Sequence, residues 1–314
     1  MAATVAGMAR SHRDRAMSTF LQLTFSGLAL GVIYALIALG FVVIYRASQV
    51  FNFAHGDLLT FGAYLMVAAS AAGLPWGLAL FASLAGTGAL AALMQHVVLR
   101  PLIGRPVFVT VIVTIFLGFL LRIVVLLIWG PDTHGLPTPW PTDGAVNLLG
   151  ASVLYNSFAT LILGALALAA FFLLLRHSKI GVAMRAVSQD QEASLALGLP
   201  VARILALTWG VAGAFAALGG IGLSMFPRAV EINLAFIALA AFPAVLVGGL
   251  ESMMGAVVAG LLLGVLQVWA QGYVNPLLGA FGHNFHSVFP YVVMIVFLMV
   301  RPEGLFGQQR IKRV

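Results

Sequence analysis

The chain has 314 residues, 62% of them hydrophobic and 8% charged, with a mean hydropathy of +1.08. That is more apolar material than one soluble core buries, so an integral membrane protein is expected and soluble-enzyme folds are excluded: their irregular backbone and buried charges would go unsatisfied in hydrocarbon. The net charge of +7 does not point to nucleic acid, because the cations sit at the ends of apolar runs, and the absence of cysteine excludes disulfides, thiolate metal sites and a thiol nucleophile.

Residues 1–18 carry Arg10, Arg13, Asp14 and Arg15 without apolar periodicity and read as a disordered leader, with Met17 as an alternative start. No cleavable signal peptide is indicated: the first apolar run, Phe20 to Tyr45, is too long and flows into further structure. Runs at 20–45, 52–72, 76–99, 107–129, 153–175, 204–226, 234–250, 255–272 and 286–300 approach the length of about 20 residues that crosses roughly 30 Å of hydrocarbon. The expected fold is an all-α polytopic membrane protein of eight to ten transmembrane helices over residues 19–307, followed by a tail at 308–314.

Charge sets the orientation. Arg100, Arg105 and the tail residues Arg301, Arg310, Lys312 and Arg313 mark cytoplasmic ends, and the stretch 131–150, with Asp132 and Asp143 but no lysine or arginine, is outside. The C-terminus is then cytoplasmic, and an odd number of crossings puts the arginines of the leader outside. Three alternatives answer that conflict: a leader translocated against its charge, a start near Met17, or a re-entrant span.

In the second span Asn52, His55 and Asp57 interrupt apolar surroundings, where polar groups are expensive. One reading is a helix start near the cytoplasmic surface, with Asn52 as cap and Asp57 favouring the positive end of the helix dipole. The other is a broken helix beside a translocation pathway, lined by Asn52, His55, Gly56 and Asp57. A metal site is not expected, since His55 and Asp57 have no third ligand nearby, and neither is a general base, since no nucleophile accompanies it. Arg122 reads as a snorkelling cation, Glu251 as the end of span seven, and His283, Asn284 and His286 as loop-surface residues.

Gly27-x-x-x-Gly31 and Gly260-x-x-x-Gly264 permit close helix approach. The pairs Gly219-Gly220 and Gly248-Gly249 are expected to interrupt helices and form a second set of pathway candidates.

Between spans five and six lies a polar island, residues 176–203, holding Arg176, Lys179, Arg185, Asp190, Glu192 and Arg203. Its four cations make it cytoplasmic. Ser188-x-x-Gln191 has a capping-box pattern, and Gly198 followed by Pro200 is a helix stop. Val182, Ala186, Ala193 and Leu197 share one face; Arg185 and Glu192 share another. An ordinary solvated loop and a docking element both fit this pattern, although a mere connection needs far fewer residues.

Glu192-Ala193-Ser194-Leu195-Ala196-Leu197-Gly198 resembles the EAA loop of ABC importer permeases, the coupling helix that docks on the ATP-hydrolysing subunit. Only its front half matches, because Pro200 comes early. Tyr34-Ala35-Leu36-Ile37-Ala38-Leu39-Gly40 followed by Asn52-Phe53-Ala54-His55-Gly56-Asp57 resembles the permeases of branched-chain amino-acid ABC transporters, the LivH type. The resemblance continues through Arg100-Pro101-Leu102, Met184-Arg185-Ala186, Val247-Gly248-Gly249-Leu250-Glu251 and Arg301-Pro302-Glu303-Gly304, covering residues 20 to 307.

The resemblance implies a non-enzymatic subunit of a bacterial inner-membrane importer without a cofactor of its own. Its implied partners are two ABC ATPase subunits, a second LivM-type permease, a periplasmic substrate-binding protein and membrane lipid, with no nucleic acid. It also implies that Arg185, Ala186, Glu192, Ala193, Ser194 and Gly198 engage an ATPase; the chain itself lacks a Walker A pattern. The cargo would be a branched-chain amino acid or a similar small amino acid or amide. An ion-coupled secondary transporter is the alternative, with Asp57 its candidate carboxylate; a passive channel would need a polar ring the sequence does not repeat.

Overall fold

The computed structural model describes residues 2–102, 104–141, 144–148, 150–225 and 229–307, without the side chains of 2–15, 280 and 281. The topogenic residues Asp143, Arg310, Lys312 and Arg313 lie outside the described residues, as do the side chains of Arg10, Arg13, Asp14 and Arg15.

Helix α1 (Ala2–Ser48) runs through the segment read as a disordered leader; its membrane-length apolar part begins at Ala16. It is followed by α2 (His55–Ala71), α3 (Trp76–Met94), α4 (Val107–Trp129) and α5 (Tyr155–His177). Two short helices, α6 (Lys179–Gln189) and α7 (Gln191–Ala196), lead into α8 (Val201–Met225). After α9 (Leu234–Ala238) and α10 (Phe242–Gly248) come α11 (Met253–Trp269) and α12 (Phe285–Val300). Among the described residues six helices are long and apolar enough to cross a membrane, and 234–248 and α12 are shorter apolar helices.

The fold is not purely helical. Four short strands lie at the end of the bundle opposite α6 and α7. β1 (His134–Gly135) pairs antiparallel with β4 (Ala229–Val230), His134 opposite Val230. β2 (Ala145–Leu148) pairs with β3 (Ala151–Leu154) across Gly150, whose φ of 83° suits a tight turn. The run 131–150 needs internal hydrogen bonds for its backbone, and a hairpin supplies them.

Helices α1 and α8 form the centre. An apolar sequence all round predicts burial on every side, and Ile33 to Ile44 of α1 and Ala212 to Met225 of α8 are almost wholly enclosed. Glycine decides how closely α1 approaches α11. A Cβ added at Gly31 would fall 2.8 Å from the Leu261 backbone, and one added at Gly264 would fall 2.2 Å from Gly31 N. The two small-residue motifs thus face each other, and backbone meets backbone along that seam.

Among the six long helices α4 is the least buried, attached mainly through α2. Helix α2 starts inside the bundle: after α1 ends at Ser48, Gln49 adopts a φ of 56° and residues 50–54 run back without helix. The His55 ring then packs on Phe41, with centroids 4.5 Å apart. Gly40, against the same ring, lies eight residues or roughly 12 Å before the end of α1 at 1.5 Å per residue.

Replacing Gly264 by valine is expected to destabilise the protein by about 3 kcal/mol, the upper part of the overpacking range. Gly77→Ala, where an added methyl meets open space, should leave the midpoint of thermal unfolding in detergent unchanged or raised. Equal behaviour of the two variants would contradict the α1–α11 seam.

Candidate functional site

The interrupted approach to α2 builds the first site. Asn52 is buried, but it does not cap the helix: Ala54 takes the cap position and donates its N–H to Asn52 Oδ1 over 3.1 Å. That local turn occupies one backbone donor of an irregular segment. The N–H of Phe53 goes to Thr114 Oγ1 of α4 at 3.2 Å, so a neighbouring helix satisfies the next. The stretch is a helix start: α2 begins at His55 and runs unbroken to Ala71 with Asp57 in its first turn, as one reading expected, while the cap is Ala54 and not Asn52. His55 is fully enclosed, and among the described residues Asn52 Nδ2 has no hydrogen-bond partner.

Asp57, in the first turn of α2, is paired with Arg122 of α4. Arg122 Nε donates to Asp57 Oδ1 over 2.9 Å, and Nη2 lies 2.8 Å from the same oxygen. The snorkelling role read for Arg122 is corrected: at roughly 22 Å from the start of α4 and 10 Å from its end, its guanidinium turns inward to a carboxylate instead of toward either end. The Phe236 ring of α9 lies 4.4 Å from the guanidinium carbon, a distance at which the ring face attracts a cation. Asp57 Oδ2 lies beside Gly118, where a Cβ would come within 2.6 Å of it. Gly56 meets the Ala235 backbone just as closely, so α2, α4 and α9 converge on this pair.

The glycine pairs divide. α8 runs unbroken through Gly219 and Gly220, contrary to the expected interruption. The physical reason is packing: a Cβ at Gly220 would lie 2.3 Å from Leu59 O, and one at Gly219 would lie 2.7 Å from Ile37 Cγ1. They let α8 approach α2 and α1 just beyond the charged pair. Gly248 and Gly249 do end a helix, with Gly249 at a φ of 99°, and they sit apart from Asp57 against Gly255 and the 303–307 segment.

The second site is the α6–α7 pair. Ser188 and Gln191 do not form the expected capping box. Ser188 lies inside α6 and donates to Arg185 O, and the Gln191 amide donates 2.6 Å to Ala47 O at the end of α1. The true caps are Ser178, which accepts from Gly181 N (2.9 Å), and Asp190, which accepts from Ala193 N (2.9 Å). Gly198, with a φ of 80°, ends α7 as expected.

Gly181, Met184 and Val187 form the buried face of α6, not the face containing Val182. Val182, Ala193 and Leu197 point outward, as do Arg185, Glu192 and Gly198; Ala186 is half-buried and Ser194 buried. Arg185 also donates to Leu175 O, tying α6 to the end of α5. The result is a capped, anchored ledge with Leu195 59% and Leu197 82% exposed. Beside it a cavity of about 760 Å³ is lined by Arg46, Arg176, Arg185, Glu251 and Phe306. Among the described residues no cluster of side chains could hold a metal ion.

An apolar helical bundle with a charged pair at the side of its core, an irregular segment leading into α2 and a projecting ledge at one end has the make-up of a solute permease. A family model described as the branched-chain amino acid transport system permease component matches residues 23–298, and the chain belongs to that family. It is 29% identical to the high-affinity branched-chain amino acid permease protein LivH of Salmonella typhimurium, over 94% of this chain and 98% of that protein. It is 28% identical to LivH of Escherichia coli K12, with the same shares covered. The corresponding Pseudomonas aeruginosa protein, BraD, is 29% identical with those shares also covered. Among solved structures, PsaBC from Streptococcus pneumoniae in complex with Fab shares the fold at a TM-score of 0.50, with 12% identity, over 91% of this chain and 93% of that one.

Truncating Arg122 alone leaves Asp57 as an uncompensated buried charge and is expected to cost about 3–5 kcal/mol. The double change Asp57→Asn with Arg122→Gln should recover most of that loss. Thermal unfolding of the single and double variants in detergent checks this; a double variant no more stable than Arg122→Ala would contradict it.

Proposed function

We propose that the chain is the membrane-spanning permease subunit of an ATP-driven importer that carries branched-chain amino acids, or similar small amino acids and amides, across the inner membrane. The observation that carries this reading is the α6–α7 ledge. It offers Leu195 and Leu197 to water on a capped element anchored to α1 and α5. Exposed apolar side chains on a rigid element rimmed by Arg185 and Glu192 suit a protein partner.

In this reading residues 176–203 are a cytoplasmic coupling loop, and Arg185, Ala186, Glu192, Ala193, Ser194 and Gly198 belong to the element that engages one of two ATPase subunits. Closure of the ATPases on ATP moves the ledge, and the ledge moves α5, α6 and α8 between access states. The C-terminus is cytoplasmic. Helix α2, the α9–α10 segment and α12 add to the six long helices for a total of eight to ten passages. A second permease of the LivM type completes the pathway, and a periplasmic binding protein delivers the cargo. Asn52, His55, Gly56 and Asp57 lie on the pathway side, Gly219 and Gly220 pack behind it, and Gly248 and Gly249 end α10 against Gly255 and the 303–307 segment.

The ion-coupled alternative is not favoured. Its one candidate carboxylate, Asp57, has its charge balanced by Arg122 at 2.8 Å, so the pair does not need a bound cation for neutrality.

Changing both Leu195 and Leu197 to aspartate should lower ATP-driven uptake at least tenfold while leaving the amount of protein in the membrane unchanged. Deleting residues 185–198 should abolish uptake. Uptake that survives both changes, or that survives ATP depletion and collapses with an uncoupler, would refute the proposal.

A further inference from the structure

The Asp57–Arg122 pair opens on a cavity of about 260 Å³ between α2, α4 and α9. Ile115, Phe119, Phe236 and Leu239 supply its apolar wall, and the two charged groups supply its polar end. We propose that this cavity is a transient binding site for a zwitterion, a small amino acid with a free ammonium and a free carboxylate, so that the permease itself sorts its cargo by charge pattern. This rests on reading the chain as a permease and adds a recognition step to it.

Three observations carry the inference. The first is the incomplete engagement of the pair. The contacts of Arg122 with Asp57, Nε at 2.9 Å and Nη2 at 2.8 Å, both fall on the one oxygen Oδ1. A fork-on-fork arrangement would have consumed both carboxylate oxygens. A donor and an acceptor of opposite charge therefore remain side by side.

The second is exposure. The Arg122 side chain is 23% exposed and that of Asp57 9%. With Arg122 far from either end of α4, a guanidinium open to hydrocarbon would be costly. This face of the bundle is accordingly turned to water or to protein, and not to lipid.

The third is discrimination. A lone carboxylate near Arg122 is repelled by Asp57, and a lone amine near Asp57 is repelled by Arg122. A ligand bearing both charges on one carbon meets an opposite partner for each. Specificity then comes from the unfavourable contact as much as from the favourable one. The apolar wall takes an aliphatic side chain, and the cavity falls below the range of about 300–1,000 Å³ typical of drug-sized ligands, which suits a small molecule held briefly.

The chain has no cysteine, so Ile115→Cys provides a single reporter on this subunit, read by the mass of the labelled chain. The assembled transporter in vesicles, without ATP, is treated with a maleimide in the presence of L-leucine, 4-methylpentanoate, which lacks the ammonium, or 3-methylbutylamine, which lacks the carboxylate. Leucine should slow labelling at least fivefold and each analogue less than twofold. In the background of Asp57→Asn with Arg122→Gln the protection by leucine should vanish. In the charge-preserving Asp57→Glu with Arg122→Lys background, which controls for folding, it should be partly retained.

Absence of protection, equal protection by all three compounds, or full protection in the neutral double variant would overturn the site. If that happens while the same vesicles still take up leucine on ATP, the site falls and the importer reading stands. If protection is seen but uptake does not depend on ATP, the importer reading falls and the site stands.

Discussion

One ion pair, Asp57 with Arg122, ties α2 to α4 in this bundle. Asp57 and Arg122 are 65 residues apart and sit where a solitary charge of either sign would be prohibitive. Each makes the other tolerable. In pairing they pin α2, which starts inside the bundle, to α4, which has few other attachments. The irregular segment 50–54 is tolerated for the same local reason: Asn52 and Thr114 occupy backbone groups that hydrocarbon cannot satisfy. Behind this arrangement the rigid α1–α11 seam and the glycine contacts of α8 supply a fixed wall. The polar segment is thus held at the side of a well-packed core, not within it.

Much of the fold was legible from residue pattern. The apolar runs mark the helices, and the two GxxxG motifs mark the surfaces that meet. Gly198 and Gly249 end helices where positive φ is needed. Other features were hidden because they depend on contacts distant in sequence. The doublet Gly219-Gly220 looks the same whether it breaks a helix or lets another chain approach, and only the Leu59 backbone facing it decides. The caps of α6 and α7 misled for a different reason: Gln191, placed correctly for a local box, finds a better acceptor in Ala47 O of α1. The small strands near residues 134 and 145–154 are too short to carry a period.

The candidate site was half visible. Asn52, His55 and Asp57 stood out because polar residues in an apolar run need an explanation. Arg122 was visible as an anomaly but not as a partner. One lone intramembrane acid in the second span and one lone intramembrane base in the fourth were the available signal that the two belong together. The aromatic residues Phe119 and Phe236 carry no such mark, since an aromatic on a membrane helix faces lipid as readily as ligand. The α7 ledge was recognisable from its resemblance to a coupling element, while its outward leucines became evident only once the opposite face of α6 was seen to be buried.

The central claim is the proposal that the face formed by α2, α4 and α9 is turned to water and not to lipid. The most direct measurement places a cysteine at Phe119, which lines the cavity, and follows its reaction with a charged, membrane-impermeant methanethiosulfonate in the assembled transporter, with and without trapped ATP. The account predicts reaction in one nucleotide state and at least tenfold slower reaction in the other. A cysteine that reacts in neither state, yet is readily modified by a lipid-soluble maleimide, would place this face against lipid and contradict the account.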